Sequence, residues 1–144
     1  MFTANCGLPD QTYSTAVNDR GDITGSCGDW SIKRVRAFVR AGESGIITTF
    51  DAAPQNGSET YAAAINNRGD ITGYWSLIPD AYRDMLCTQQ CISGFFRDHQ
   101  GAIEVFDAPG AAVTYPYLLN DRGDIVGRFV TDQQESHYFI RTRN

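Results

Sequence analysis

Apolar and aromatic residues alternate with polar ones along three well-separated stretches of this chain, and the three share one spacing. Tyr13, Thr15 and Val17 are matched by Tyr61, Ala63 and Ile65, and again by Tyr115, Tyr117 and Leu119. Period-two spacing predicts a β-strand in each stretch, with those side chains on one face. An Asn-x-Arg-Gly-Asp segment follows each stretch, at residues 18–22, 66–70 and 120–124. Its glycine stands where a positive φ is needed, so the segment predicts a tight turn. A second short strand begins at Asp22, Asp70 and Asp124 and runs to Gly25, Gly73 and Gly127. After a loop of variable length, a third strand is predicted at residues 37–40, 94–97 and 138–141. Glycine-containing turns (residues 42–45 and 99–101) then lead to a fourth strand at residues 46–51 and 102–107.

The turn segments recur at offsets of 48 and 54 residues. A period in this range marks a supersecondary unit that must stack on its neighbours to bury its apolar face. We therefore expect one all-β domain over residues 1–144. Repeat 1 covers about 11–54, repeat 2 about 59–110, and repeat 3 about 113–144 plus 1–8. The third repeat reaches Asn144 without a fourth strand. Phe2 lies 16 residues before Asn18, as Phe50 lies 16 before Asn66, and Thr12-Tyr13 then aligns with Thr60-Tyr61. This spacing predicts that the N-terminal strand completes the last repeat, in the same chain or in a second copy, and so removes an open sheet edge.

Composition narrows the class of partner. A chain of 144 residues with 42% hydrophobic and 20% charged residues has the balance of a globular domain. The formal charge of −5 argues against nucleic acid as the main partner, because phosphate binding favours a basic surface. No apolar run approaches the ~18 residues of a membrane span. Residues 1–6 have neither the basic segment nor the apolar run of a signal peptide, so the chain reads as either intracellular or a mature form.

The segment Ile65-Asn66-Asn67-Arg68-Gly69-Asp70-Ile71-Thr72-Gly73, with Ala37-Phe38 on a third strand, resembles the bacterial extracellular HAF repeat family. Val17 and Leu119 stand where that family prefers Ile, and Gly94-Phe95 and Tyr138-Phe139 replace its Ala-Phe pair. The resemblance implies an extracellular or periplasmic protein built of three four-stranded, propeller-like blades, two copies of which would make a six-bladed ring. A β-trefoil is the alternative, since length and threefold symmetry fit it too. The resemblance to secreted repeats also favours disulfides, with Cys6 paired to Cys27 and Cys87 to Cys91. Zinc on Cys87 and Cys91 would need two more ligands nearby, such as Cys6 and Cys27. No metal or other cofactor is expected.

In an up-and-down meander, the loops after second and fourth strands share one end. The interval from Gly73 to Gly94 is 21 residues, against 12 from Gly25 to Ala37 and 11 from Gly127 to Tyr138. The middle unit therefore carries an insertion, within residues 77–92, at the end where all four cysteines fall. Variable loops on a rigid scaffold are where binding residues concentrate. Trp30, Trp75 and Tyr82 are candidates for stacking on a sugar, with Arg83 and Asp84 as hydrogen-bonding partners. Trp75 has a second reading, as a cap on the core.

The Arg-Gly-Asp triplets read as turns rather than adhesion signals, and each offers too few oxygen ligands for a calcium loop. Arg40, Arg97 and Arg141 recur at one strand position and are expected to pair with a turn carboxylate or with Asp51 and Asp107. No nucleophile elbow, phosphate loop or zinc-protease segment is present, so catalytic residues are not assigned. An enzyme using carboxylates of the insertion, such as Asp80 and Asp84, is the least favoured reading. The expected function is a secreted, non-enzymatic binding module for a glycan. The alternative is a structural extracellular protein that assembles with itself into a ring or fibre.

Overall fold

The computed structural model describes residues 1–4, 6, 11–29, 34–53, 58–76 and 91–143. These residues form eleven β-strands and no helix. The first unit is an antiparallel meander of β1 (Gln11–Val17), β2 (Ile23–Asp29), β3 (Arg34–Arg40) and β4 (Ile47–Phe50), paired in chain order. The second repeats it with β5 (Glu59–Ile65), β6 (Ile71–Ser76), β7 (Ile92–Arg97) and β8 (Ile103–Phe106). The third has β9 (Ala111–Leu119), β10 (Ile125–Thr131) and β11 (Ser136–Arg141). A single parallel bridge, Ile92 to Val113, joins the second and third units into one seven-stranded sheet. The first unit is a separate four-stranded sheet. Among the described residues neither sheet closes into a barrel, which a β-trefoil requires.

The turns fold as they do because one asparagine satisfies most of their polar groups. Asn18 Oδ1 accepts from the N–H groups of Arg20 (3.0 Å) and Asp22 (2.9 Å), and its Nδ2 donates to Asp22 Oδ2 (2.9 Å). Asn66 and Asn120 make the same three bonds to their own turns. Gly21, Gly69 and Gly123 have φ values of 79°, 92° and 89°, which a side chain would oppose. The asparagines also tie the units together. Asn18 Nδ2 donates to the Asn66 carbonyl at 2.9 Å, and Asn66 Nδ2 to the Asn120 carbonyl at 3.0 Å. A parallel pair of bonds runs from Asp19 N–H to Asn67 Oδ1 and from Asn67 N–H to Asp121 Oδ1, both 2.8 Å.

The first strand of every unit departs from simple alternation. Its pairing shifts by one residue around Thr15, Ala63 and Tyr117, which are equivalent positions. The extra residue is a β-bulge, and it changes which face the following side chains take. Tyr61 and Ala63 line an open groove, whereas Ile65 enters the core, so the expected single face for Tyr61, Ala63 and Ile65 is not formed. The bulge also presses the strand onto its neighbour. A Cβ on Gly73 would lie 2.0 Å from the Tyr61 carbonyl oxygen, which is why the second strand carries glycine there.

The core lies between units. Ala37 of the first unit packs with Phe50, Ala62, Ile65, Ile71 and Phe95, and Ala16 and Val39 close one side. The third-strand phenylalanines each meet a phenylalanine that precedes their own unit in the chain: Phe38 with Phe2 at 5.9 Å, Phe95 with Phe50 at 5.8 Å, and Phe139 with Phe106 at 6.2 Å. All three pairs are edge-to-face, the arrangement that aromatic quadrupoles favour. Arg40, Arg97 and Arg141 lie over the rings of Phe2, Phe50 and Phe106. Among the described residues these arginines make no ion pair with Asp51 or Asp107: Asp51 is taken by Arg36 at 3.1 Å, and Arg141 pairs instead with Glu104 on the fourth strand of the preceding unit.

The expectation for the N-terminal strand is corrected as well. Met1–Ala4 carry no strand, and they do not complete the third unit within the chain. Phe2 sits on Phe38, and Ala4 N–H donates to Thr12 Oγ1 at 3.2 Å. Ala52 and Ala108 donate in the same way to Thr60 and Thr114, both 3.1 Å. The N-terminal residues thus occupy the seat that the preceding linker occupies on units two and three. Among the described residues, β11 pairs only with β10 and remains a sheet edge.

The asparagine contacts predict a graded loss of stability. Asn66 is buried and Asn120 exposed. Asn66→Ala is expected to cost about 3 kcal/mol in chemical denaturation, since each buried polar group left unpaired costs ~1–3 kcal/mol. Asn120→Ala is expected to cost about 1 kcal/mol. Equal losses would show that the bridge between units contributes nothing.

Candidate functional site

The bulged strands leave a groove along their open face, next to the end that carries the variable loops. It is lined by Gln11, Tyr13 and Thr15 of β1, Ser26 of β2, Tyr61 and Ala63 of β5, and Tyr74 of β6, and encloses about 480 Å³. A volume of ~300–1,000 Å³ suits a small ligand. Tyr13, Tyr61 and Tyr115 are equivalent residues of the three units, each two positions before the bulge.

The aromatic wall is continuous. Tyr61 stacks on Tyr74 with ring centres 5.1 Å apart and planes 25° from parallel. Tyr74 meets Tyr115 edge-on, also at 5.1 Å. Arg128 lies over the Tyr115 ring at 5.3 Å. Polar atoms edge this wall: the Tyr61 hydroxyl donates to Glu59, and the Tyr13 hydroxyl to Gln11 at 3.4 Å. Thr15 Oγ1 donates to the carbonyls of Thr24 and Ala62, which fixes the bulge between the first two units.

Of the residues singled out in the sequence, Trp30, Tyr82, Arg83, Asp84 and Cys87 lie outside the described residues, as does most of the insertion. Trp75 is described. It is partly buried against the core of Phe50, Ile71 and Phe95, and its Nε1 is buried without a hydrogen-bond partner among the described residues. That is the capping position. Cys6 and Cys27 form the expected disulfide, with Cα atoms 5.8 Å apart. Cys91 is also disulfide-bonded. The sequence pattern marks Tyr13 and Tyr61 only as strand residues and ends the second strand at Gly73, one residue short of Tyr74. The signal that marks them is the return of one aromatic at the same offset from all three turns.

The Arg-Gly-Asp triplets are folded inward on themselves. Arg20 pairs with Asp22 at 2.7 Å, Arg68 with Asp70 at 3.6 Å and Arg122 with Asp124 at 2.9 Å. The second oxygen of each aspartate accepts a backbone N–H from its own unit, at Gly42 (2.9 Å), His99 (3.0 Å) and Arg143 (3.2 Å). Burial opposes ionisation of Asp22, but the Gly42 N–H, the Asn18 amide and Arg20 outweigh it and lower its pKa from 3.8. Bonds from the Asn120 amide and Arg143 N–H lower that of Asp124, and the Ala102 N–H heads the contacts that lower that of Asp98. Among the described residues no group of three or more His, Cys, Asp or Glu side chains is arranged to hold a metal. No described helix is long and apolar enough to cross a membrane.

Comparison with protein-family models finds no match, and a search of curated proteins finds none either.

These carboxylates set an acid limit. Because their folded pKa values lie below the ordinary 3.8, the native state binds fewer protons than the unfolded chain as pH falls past that value. Their contribution is full above pH 3.8 and is lost as pH drops through the folded values. Melting temperature is expected to decline below about pH 4, and less steeply in Asp22→Asn, which starts lower at neutral pH. An identical decline in both proteins would remove Asp22 from this role.

Proposed function

We propose that this chain is a non-enzymatic binding module, extracellular or periplasmic, whose three units are propeller-like blades and whose tyrosine groove takes a saccharide ring. The observation that supports this most is the pairing of continuous aromatic faces with polar edges in one cavity. A pyranose presents apolar C–H faces and a rim of hydroxyls. Tyr13, Tyr61 and Tyr74 match the faces, while Gln11, Ser26 and the tyrosine hydroxyls match the rim. The groove shifts the expected site from the tips of the variable loops to the strands below them, where rigid backbone positions each ring. The Cys6–Cys27 disulfide supports an oxidising compartment. Chain order and antiparallel pairing within each unit support the blade reading.

The test is a glycan array probed with the purified chain, followed by titration of any retained oligosaccharide. Tyr13 is exposed, so Tyr13→Ala should leave the melting temperature unchanged. It is expected to weaken binding roughly tenfold, as loss of one aromatic stack is worth about 0.5–1.5 kcal/mol. Failure of the parent chain to retain any glycan overturns the saccharide reading. Undiminished binding by Tyr13→Ala moves the site elsewhere.

A further inference from the structure

Every contact between consecutive units uses a leading face on one and a trailing face on the next, and the third unit presents its leading face to solvent. In the first unit that face comprises Ala16, Ala37 and Val39, which pack on the second unit. In the second unit the equivalent residues are Ala64, Gly94 and Phe96. Phe96 is 2% exposed and Arg143 of the third unit lies over its ring at 4.0 Å. In the third unit they are Leu118, Tyr138 and Ile140, exposed by 57%, 75% and 73%. Large apolar side chains at three positions that are buried in the preceding unit mark an interface with nothing seated on it in the single chain.

The opposite end of the molecule is its complement. Ile65, on the trailing face of the second unit, is 8% exposed, whereas its first-unit equivalent Val17 is 64% exposed. The polar bonds are open in the matching sense. Asn66 Nδ2 donates both to Asp70 and to the next unit's carbonyl, but Asn120 Nδ2 donates only to Asp124 among the described residues. At the other end, among the described residues, the Asn18 carbonyl accepts from Gly21 alone, while that of Asn66 accepts from Gly69 and from Asn18. One end therefore offers a donor and the other an acceptor.

We propose that the leading face of the third unit docks the trailing face of the first unit of a second copy, head to tail. Two copies joined at both ends make a closed ring of six units, in which no such face remains open. Asn120 Nδ2 then donates to the Asn18 carbonyl of the second copy, continuing the series of bonds. The register of the fourth strands places a further contact. Ala37 lies opposite Phe50, and Gly94 opposite Phe106, so Tyr138 receives Phe2 of the second copy at the edge of β11. Closure carries one cost. Internal junctions set a carboxylate against the Asn67 amide, whereas this junction sets Asp121 against Asp19 of the second copy.

Sedimentation and light scattering of the purified chain test the proposal. We expect a concentration-dependent species of about twice 15.9 kDa. Ile140→Lys and Val17→Lys both change exposed side chains, so each is expected to fold with the parent's melting temperature and to remain monomeric alone. Mixed, they are expected to form a heterodimer, because the intact third unit of Val17→Lys meets the intact first unit of Ile140→Lys. Asp19→Asn, which restores the carboxylate–amide alternation, is expected to tighten association several-fold. A parent chain that stays monomeric at millimolar concentration overturns the proposal. So does a dimer that survives Val17→Lys, which would indicate a symmetric face-to-face contact. The experiment uses no glycan, so its failure leaves the saccharide groove standing and loss of the groove leaves the assembly standing.

Discussion

The asparagine at the head of each turn is the constraint on which the rest of the structure depends. In the first two units its side chain closes the turn, holds the aspartate that anchors the turn between third and fourth strands, and reaches the backbone of the next unit. A tight turn leaves several backbone donors without strand partners, and burying them unpaired would cost more than a small inter-unit core can return. One carboxamide, with two acceptor sites and two donors, is the smallest group that can serve all of these roles. Serine lacks the second donor, and aspartate lacks any. The spacing of the units follows from this, since a fixed side chain length sets how far apart two turns can lie.

Stacking then decides where the core forms. Each unit is too thin to enclose apolar side chains, so the buried residues come from adjacent units in pairs: Ala37 with Ile65, Phe50 with Phe95. The same logic explains the arginines on the third strands. An arginine between units has little water to face, and the ring of the preceding phenylalanine supplies a partner without burying a carboxylate. Sulfur chemistry acts at the margin, where Cys6 and Cys27 fasten the N-terminal segment onto the first unit beside Ala4 and Phe38.

Much of this was legible in the sequence. Strand order and the turn residues follow from period and composition, and the structure has strands at those places. The bulge was not legible, because an inserted residue leaves the spacing of Tyr13, Thr15 and Val17 unchanged while reversing which side they occupy. Gly25, Gly73 and Gly127 were the available clue: a glycine inside a strand marks close approach of another backbone. For the same reason the groove is not legible, since alternation alone marks Tyr13 and Tyr61 as strand residues and does not show that their face opens to solvent. The arginine contacts were legible only in part, because chain distance gives no sign of a ring carried in from the preceding unit, nor of Glu104 as the carboxylate that meets Arg141.

The offset between repeat and sheet has a consequence for how such a chain can be divided. The third-strand phenylalanine of the second unit, Phe95, is covered by Phe50, which belongs by hydrogen bonding to the sheet before it. A segment cut along sheet boundaries would lose its aromatic cover, whereas one that begins at that phenylalanine would bring its own. The functional module is therefore shifted from the visible strand group by one short linker. Duplication, shuffling or grafting of these units preserves a sealed junction only when the cut respects that shift.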